Sequence, residues 1–233
     1  MAEGVVLKPV SDERFAAWHA DVMDAIEERD FRVARPVRAD NGGWVVSGWT
    51  ASTWIPGRQT NRWDETIDIG AAFHDGLRSM NPPPWLHDRN DRWTVGDRVA
   101  WEELPSPALP PAFLEPLALL SAARTSTDLP AQIIHGDLTH NVLYAPGFAP
   151  AVIDLAPYVR PVGFASAVVV ADALLWFGGD RALARSTAAR VEMFGQLLTR
   201  ALIYRLVTNG LFGASTPPEN TDDAVRIATA LAN

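Results

Sequence analysis

Ten residues near the middle of the chain, Ile134-His135-Gly136-Asp137-Leu138-Thr139-His140-Asn141-Val142-Leu143, constrain its fold most strongly. Apolar, β-like runs at 132–135 and 141–144 flank a polar loop, so Asp137 and Asn141 are pinned by buried strands. Thirteen residues beyond Asn141, a third apolar run ends in Val152-Ile153-Asp154-Leu155. A carboxylate at the end of a buried strand is costly unless a counter-charge or a metal compensates it. Two aspartates and an asparagine converging at strand ends form an oxygen-ligand set suited to magnesium.

The segments on either side differ in texture. Residues 5–9 read as a short strand ended by Pro9, and 11–28 as an amphipathic helix with Phe15, Trp18, Val22 and Ile26 on one stripe. Residues 31–33 and 37 look extended, and Asn41-Gly42-Gly43 reads as a hairpin turn leading into 44–46. Pro56-Gly57 marks a junction, which divides the chain into 1–56 and 57–233. Asp64 can cap a helix carrying Ile69, Phe73, Leu77 and Met80, stopped by Pro82-Pro83-Pro84. Residues 81–110 show no clear period and read as a long loop with short turns, 117–124 as a helix, and the chain after Pro161 as helical. Breaks are expected near Gly178-Gly179 and Thr216-Pro217-Pro218.

Composition narrows the function. The formal charge is -8, from 20 Lys and Arg against 28 Asp and Glu, which disfavours a broad basic face for nucleic acid. No cysteine is present, so thiolate metal sites, disulfides and a cysteine nucleophile are excluded. The first ten residues are too short and polar for a signal peptide. The longest apolar stretch, 164–177, is interrupted by Asp172 and falls short of a membrane span. The expectation is a cytoplasmic protein. All basic residues but one are arginine, and the exception is Lys8. Arginine replaces lysine on most surfaces but not where a compact point charge must fit between phosphates. Lys8 is either a chance survivor or such a charge.

His135-Gly136-Asp137, Asn141 and Ile153-Asp154 together resemble the catalytic loop and metal-binding segment of the protein-kinase-like superfamily. The His-Gly-Asp opening is closer still to the aminoglycoside phosphotransferases, and Pro157-Tyr158-Val159-Arg160-Pro161 is similar to an actinobacterial branch of that group. The resemblance implies an α+β, two-lobe kinase-like fold: a small lobe at 1–56 and a mainly helical large lobe at 57–233 carrying a catalytic β-hairpin. It implies transfer of the γ-phosphate of ATP or GTP, with Mg²⁺, to a hydroxyl of a small-molecule acceptor. Asp137 would accept or orient the acceptor's proton, Asn141 and Asp154 would hold magnesium, and Lys8 would contact the phosphates. Asp21 would be the acidic partner of Lys8, with Asp24 as the other candidate. Residues 49–57 would frame the adenine. His135 would be a structural hydrogen-bonder, and Asp172 would accept hydrogen bonds from the catalytic-loop backbone.

The pattern departs from the family in three places. Asp137 and Asn141 are four residues apart where the kinase pattern has five. Ala156 stands where a glycine would follow Asp154-Leu155. No G-x-G-x-x-G or Walker A segment occurs, and seven residues precede Lys8, so a small lobe truncated before its glycine-rich loop is expected. Two other readings remain open. One is a nucleotide-binding module without turnover. The other is a metal-dependent hydrolase using His135, Asp137, His140 and Asp154. Acids in the helical C-terminal part, Glu192, Asp222 and Asp223, are too few to define a polycation pocket.

Overall fold

The computed structural model describes residues 4–232. The chain opens with β1 (Val5–Pro9) and α1 (Glu13–Ala25), whose first turn is capped by the Asp12 carboxylate accepting from Phe15 N at 3.0 Å. Three short strands follow, β2 (Arg32–Val33), β3 (Val45–Val46) and β4 (Trp49–Thr53). A small antiparallel sheet runs in the order β1-β4-β3, with Lys8 opposite Thr50. The turn in its hairpin is Ser47-Gly48, both at positive φ (50° and 76°), as a two-residue loop between twisted strands requires. The turn at Asn41-Gly42-Gly43 forms, but it does not pair its flanking segments. β2 leaves the small sheet and lies parallel to a strand of the catalytic hairpin instead.

The rest of the chain is β5 (Arg58–Gln59), α2 (Trp63–Leu77), α3 (Arg92–Ala100), α4 (Leu114–Ala123), β6 (Gln132–His135), β7 (Val142–Tyr144), β8 (Ala151–Val152), β9 (Pro157–Arg160), α5 (Val162–Trp176), α6 (Arg181–Ala188), α7 (Phe194–Leu211) and α8 (Thr221–Ala232). A second sheet has the order β2-β8-β7-β5, so strands from both sides of Gly57 share one ladder. β6 and β9 pair antiparallel, with His135 opposite Pro157. α2 starts one residue before Asp64, which sits in its first turn rather than at its cap.

The core is built on α5 and α7. Both are buried on nearly every side, α5 almost entirely by apolar residues and α7 with Gln196, Arg200 and Arg205 among its buried side chains, and α2, α3, α4 and α8 surround them. Val22, Met23, Ile26, Phe31 and Val33 join this same core, so α1 and β2 are rooted in the large lobe. Residues 81–110 hold a short 3-10 turn at Pro84–Asp88, as expected, but also the helix α3, which was not. α3 escapes a periodicity test because Thr94, Gly96 and Asp97 share its buried side with Val99 and Ala100 and break the apolar stripe. Among the described residues no helix is long and apolar enough to cross a membrane.

Candidate active site

The loop after β6 is fixed by histidines. His135 is fully buried, and its ring spans the two catalytic segments. Nδ1 accepts from Asp137 N at 3.1 Å, so Nε2 carries the proton and donates to Ile153 O at 3.0 Å. His74 of α2 accepts from His135 N at 3.0 Å. Burial pushes both imidazoles down, His74 to about 3, which keeps them neutral. His135 thus has both nitrogens engaged and none left for a metal. Gly136 has no alternative: a Cβ there would lie 2.3 Å from the Tyr158 ring.

The shortened loop closes through two local adjustments. His140 takes a left-handed conformation (φ 60°), and Asn141 N donates to Leu138 O at 2.9 Å. Asn141 Nδ2 then folds back onto Asp137 O at 2.6 Å and reaches toward Asp137 Oδ2 at 3.5 Å. This leaves Asn141 Oδ1 as an acceptor. Ile153 N donates to Asn141 O at 3.0 Å, which brings Asp154 beside the loop. Asp154 is also left-handed (φ 52°), a conformation that costs a non-glycine residue of order 1–2 kcal/mol.

Lys8 and Asp154 form an ion pair across 146 residues of sequence. They meet in a cleft of about 250 Å³ whose walls include His19, Met23, Thr50, Ile55 and Leu143. Of residues 49–57, expected to frame the adenine, 50–55 line this cleft. Asp21 does not pair with Lys8: its Oδ1 accepts from Trp44 Nε1 at 2.7 Å. Helix phase explains the difference. The side of α1 that faces Lys8 and Asp154 carries His19 and Met23, and Asp21 lies 200° around from His19 at 100° per residue. Asp24 lies near Arg38 instead, at 3.9 Å. His19 was not singled out from sequence. Burial pushes it down to about 4, with Asp154 opposing that shift.

Asp137 faces a second cavity, of about 350 Å³. Its Oδ1 accepts from Arg205 Nη2 at 2.6 Å. Arg205 also grips Asp172 with two bonds of 2.6 Å, Nε to Oδ1 and Nη2 to Oδ2. Asp172 is therefore satisfied by a guanidinium from α7 and not by loop backbone. Burial works against the charge on Arg205, but the Asp172 carboxylate, with Tyr204 and Asp137, offsets it and pushes the pKa up. The sequence holds the clue to this pairing: a lone aspartate in the apolar α5 needs a cation, and Arg205 interrupts the apolar run of α7. Glu192, Asp222 and Asp223 do not line the second cavity. His140 turns away toward Asn61 Oδ1 (3.4 Å) and the Phe177 ring (4.5 Å). Among the described residues no three His, Asp or Glu side chains are grouped to hold a metal, which disfavours the hydrolase reading.

Residues 6–159 match the phosphotransferase enzyme family APH. No curated relative matches the chain. Several solved structures share its fold. A thermostable mutant of the aminoglycoside phosphotransferase APH(4)-Ia, in ternary complex with AMP-PNP and hygromycin B, is 14% identical with a TM-score of 0.54. That match covers 99% of this chain and 86% of the other. Spectinomycin phosphotransferase APH(9)-Ia, in complex with ADP and spectinomycin, is 12% identical with a TM-score of 0.58, over 98% and 84% of the two chains. An ethanolamine kinase of Plasmodium vivax is 10% identical with a TM-score of 0.52, over 99% and 75%. These likenesses bear out the α+β, kinase-like architecture.

Proposed function

Because the chain belongs to the phosphotransferase enzyme family, we propose that it moves the γ-phosphate of ATP, or of GTP, onto a hydroxyl of a small molecule. The observation that carries this reading is the pair of cavities served by one hydrogen-bonded loop. Asp154 and Lys8 face the first, Asp137 faces the second, and Asn141 is bonded to the Asp137 carbonyl between them.

In this reading the base lies along residues 50–55 and the phosphates lie toward Lys8. A compact ammonium there neutralises phosphate oxygens without the width of a guanidinium. The donor set fits magnesium: Asn141 has its amide nitrogen engaged and its carbonyl oxygen free, and Asp154 commits one oxygen to Lys8. Held by Asn141 and Asp154, the metal would supply positive charge against the phosphates of the donor. Asp137 has Oδ1 held by Arg205, which leaves Oδ2 to accept the acceptor hydroxyl's hydrogen bond and then its proton. Arg205 fixes that carboxylate in one orientation, and orientation is most of what such a site supplies. The adenine nucleotides held by the solved neighbours, AMP-PNP and ADP, support ATP over GTP. A nucleoside triphosphate donor also fits the cytoplasmic location proposed for the chain.

A melting titration tests the reading. With Mg²⁺ present and ATP or GTP at a hundred times its Kd, a ligand bound to the folded state alone adds about 2.7 kcal/mol. The expected result is a rise in Tm with ATP that needs Mg²⁺ and is lost in Asp154→Asn. No rise with either nucleotide would overturn the proposal.

A further inference from the structure

We infer that the acceptor is an uncharged hydroxyl compound of about single-ring size with one apolar face, and not a polycation. This rests on the phosphotransferase reading of the same site. The second cavity, of about 350 Å³, sits at the low end of the range for small-molecule sites. Its walls are aromatic: Trp93, Trp176, Phe177 and Phe212. Trp176 and Phe177 stay 40% and 36% exposed, so they present rings to whatever enters.

The charges in the cavity decide the class. Three charged side chains line it, Asp137, Asp172 and Arg205. Both oxygens of Asp172 are bonded to Arg205, and so is Oδ1 of Asp137. One carboxylate oxygen remains, Asp137 Oδ2, and the reacting hydroxyl needs it. No acid is left to receive an ammonium group. An ammonium taken from water into such a pocket without a carboxylate partner loses several kcal/mol of hydration.

Aromatic faces could substitute for carboxylates through cation–π contact. Two of the four are already engaged in this way from within the protein. The Arg205 guanidinium lies 5.5 Å from the Trp93 ring centre, and that of Arg92 lies 5.0 Å from Phe212. Trp93 and Phe212 also pack on each other at 5.1 Å. What remains open is the Trp176 ring and the part of Phe177 not covered by His140, which packs on it at 4.5 Å, with the Asn209 amide as a neutral polar group on the lining. That surface suits the C–H face of a sugar or polyol ring, or an aryl ring bearing an alcohol.

The test is ADP release from Mg-ATP with two acceptor sets on the full chain. Neutral probes are myo-inositol, methyl ribofuranoside and 2-phenylethanol. Cationic probes are hygromycin B, spectinomycin and ethanolamine. A neutral probe is expected to exceed every cationic probe at least tenfold in kcat/KM. In Trp176→Ala and Phe177→Ala its KM should rise about tenfold while kcat and the Mg-ATP melting shift stay near wild type. A polycation with the higher kcat/KM would overturn the inference and leave the phosphotransferase reading standing. If no probe is turned over, tryptophan fluorescence with Mg-nucleotide bound decides. Saturable quenching by a neutral probe, lost in Trp176→Phe, supports the inference. Its absence, with the nucleotide shift intact, overturns it. Absence of the nucleotide shift itself marks failure of the underlying reading.

Discussion

Arg205 holds two carboxylates with one guanidinium, and the two contacts serve different ends. Asp172 is 3% exposed, so without a cation it would be an uncompensated buried charge. Asp137 is partly exposed and is bonded through a single oxygen. Arg205→Leu should therefore cost about 3–5 kcal/mol of unfolding free energy. Arg205→Leu with Asp172→Leu should regain most of that loss, because no buried charge is stranded. Turnover should remain at least tenfold below wild type in the double variant, because Asp137 has lost its anchor. Urea unfolding and ADP release on the same samples separate the two effects. Recovery of activity along with stability would show that Arg205 serves the core alone. At this scale the site was half legible. Asp137, Asn141 and Asp154 stand in one short, strand-flanked pattern, so local reading brings them together. Arg205 lies 68 residues from Asp137, and only the charge requirement of Asp172 points to it. Asp21 illustrates the opposite failure: its sequence offset from Lys8 fits a partner, but helix phase turns it toward Trp44.

Elements were legible where burial is one-sided and obscure where it is polar. α1 and α2 carry apolar stripes, and their existence follows from them. α3 was hidden because its contact with α7 is made by a gap rather than by bulk. A Cβ at Gly96 would lie 2.3 Å from Thr208 Oγ1 and 2.9 Å from Tyr204 O, the latter backbone that cannot swing aside. Gly96→Ala should then separate α3 from α7 and destabilise the protein by about 1–3 kcal/mol, despite alanine's better helix propensity. The same helix presents Asp97 to Arg160 on β9, at 2.6 Å, so its displacement also loosens the strand that pairs with β6. Urea midpoints of Gly96→Ala and of Gly76→Ala, whose Cβ would meet side-chain atoms of Ile26 and Phe31 and no backbone, provide the comparison. Equal midpoints would mean that α3 can move freely on α7. β2 was legible as extended, but its pairing was not. Two residues carry no register of their own, and their partner, β8, lies more than a hundred residues away.

Across the whole molecule, three histidines are kept neutral by burial, and two of them are hydrogen-bonded to each other. His19 lies in the cleft beside Lys8 and Asp154, His135 under the 136–141 loop, and His74 behind it on α2. In all three, burial is the first cause holding the pKa down, to about 4 for His19 and about 3 for His74. Unfolded histidines take up protons near pH 6.5, and the folded ones refuse them until the pH is far lower. Below 6.5 the unfolded chain thus binds more protons, and stability falls as pH falls. Each such histidine removes roughly 1.4 kcal/mol per pH unit until its folded pKa is reached. For His74 that window runs from about pH 6.5 to about 3. Unfolding free energies from urea titrations between pH 7.5 and 4.5 should therefore decline with a slope of more than one proton. In His74→Gln the side-chain carbonyl can still accept from His135 N, but the group no longer titrates. Its slope should be smaller by about one proton, and the variant should lose less stability than wild type on acidification. An unchanged slope would mean that His74 is protonated in the folded state. His135 N would then face a second donor in place of its acceptor, and the catalytic strand would have to be held by other means.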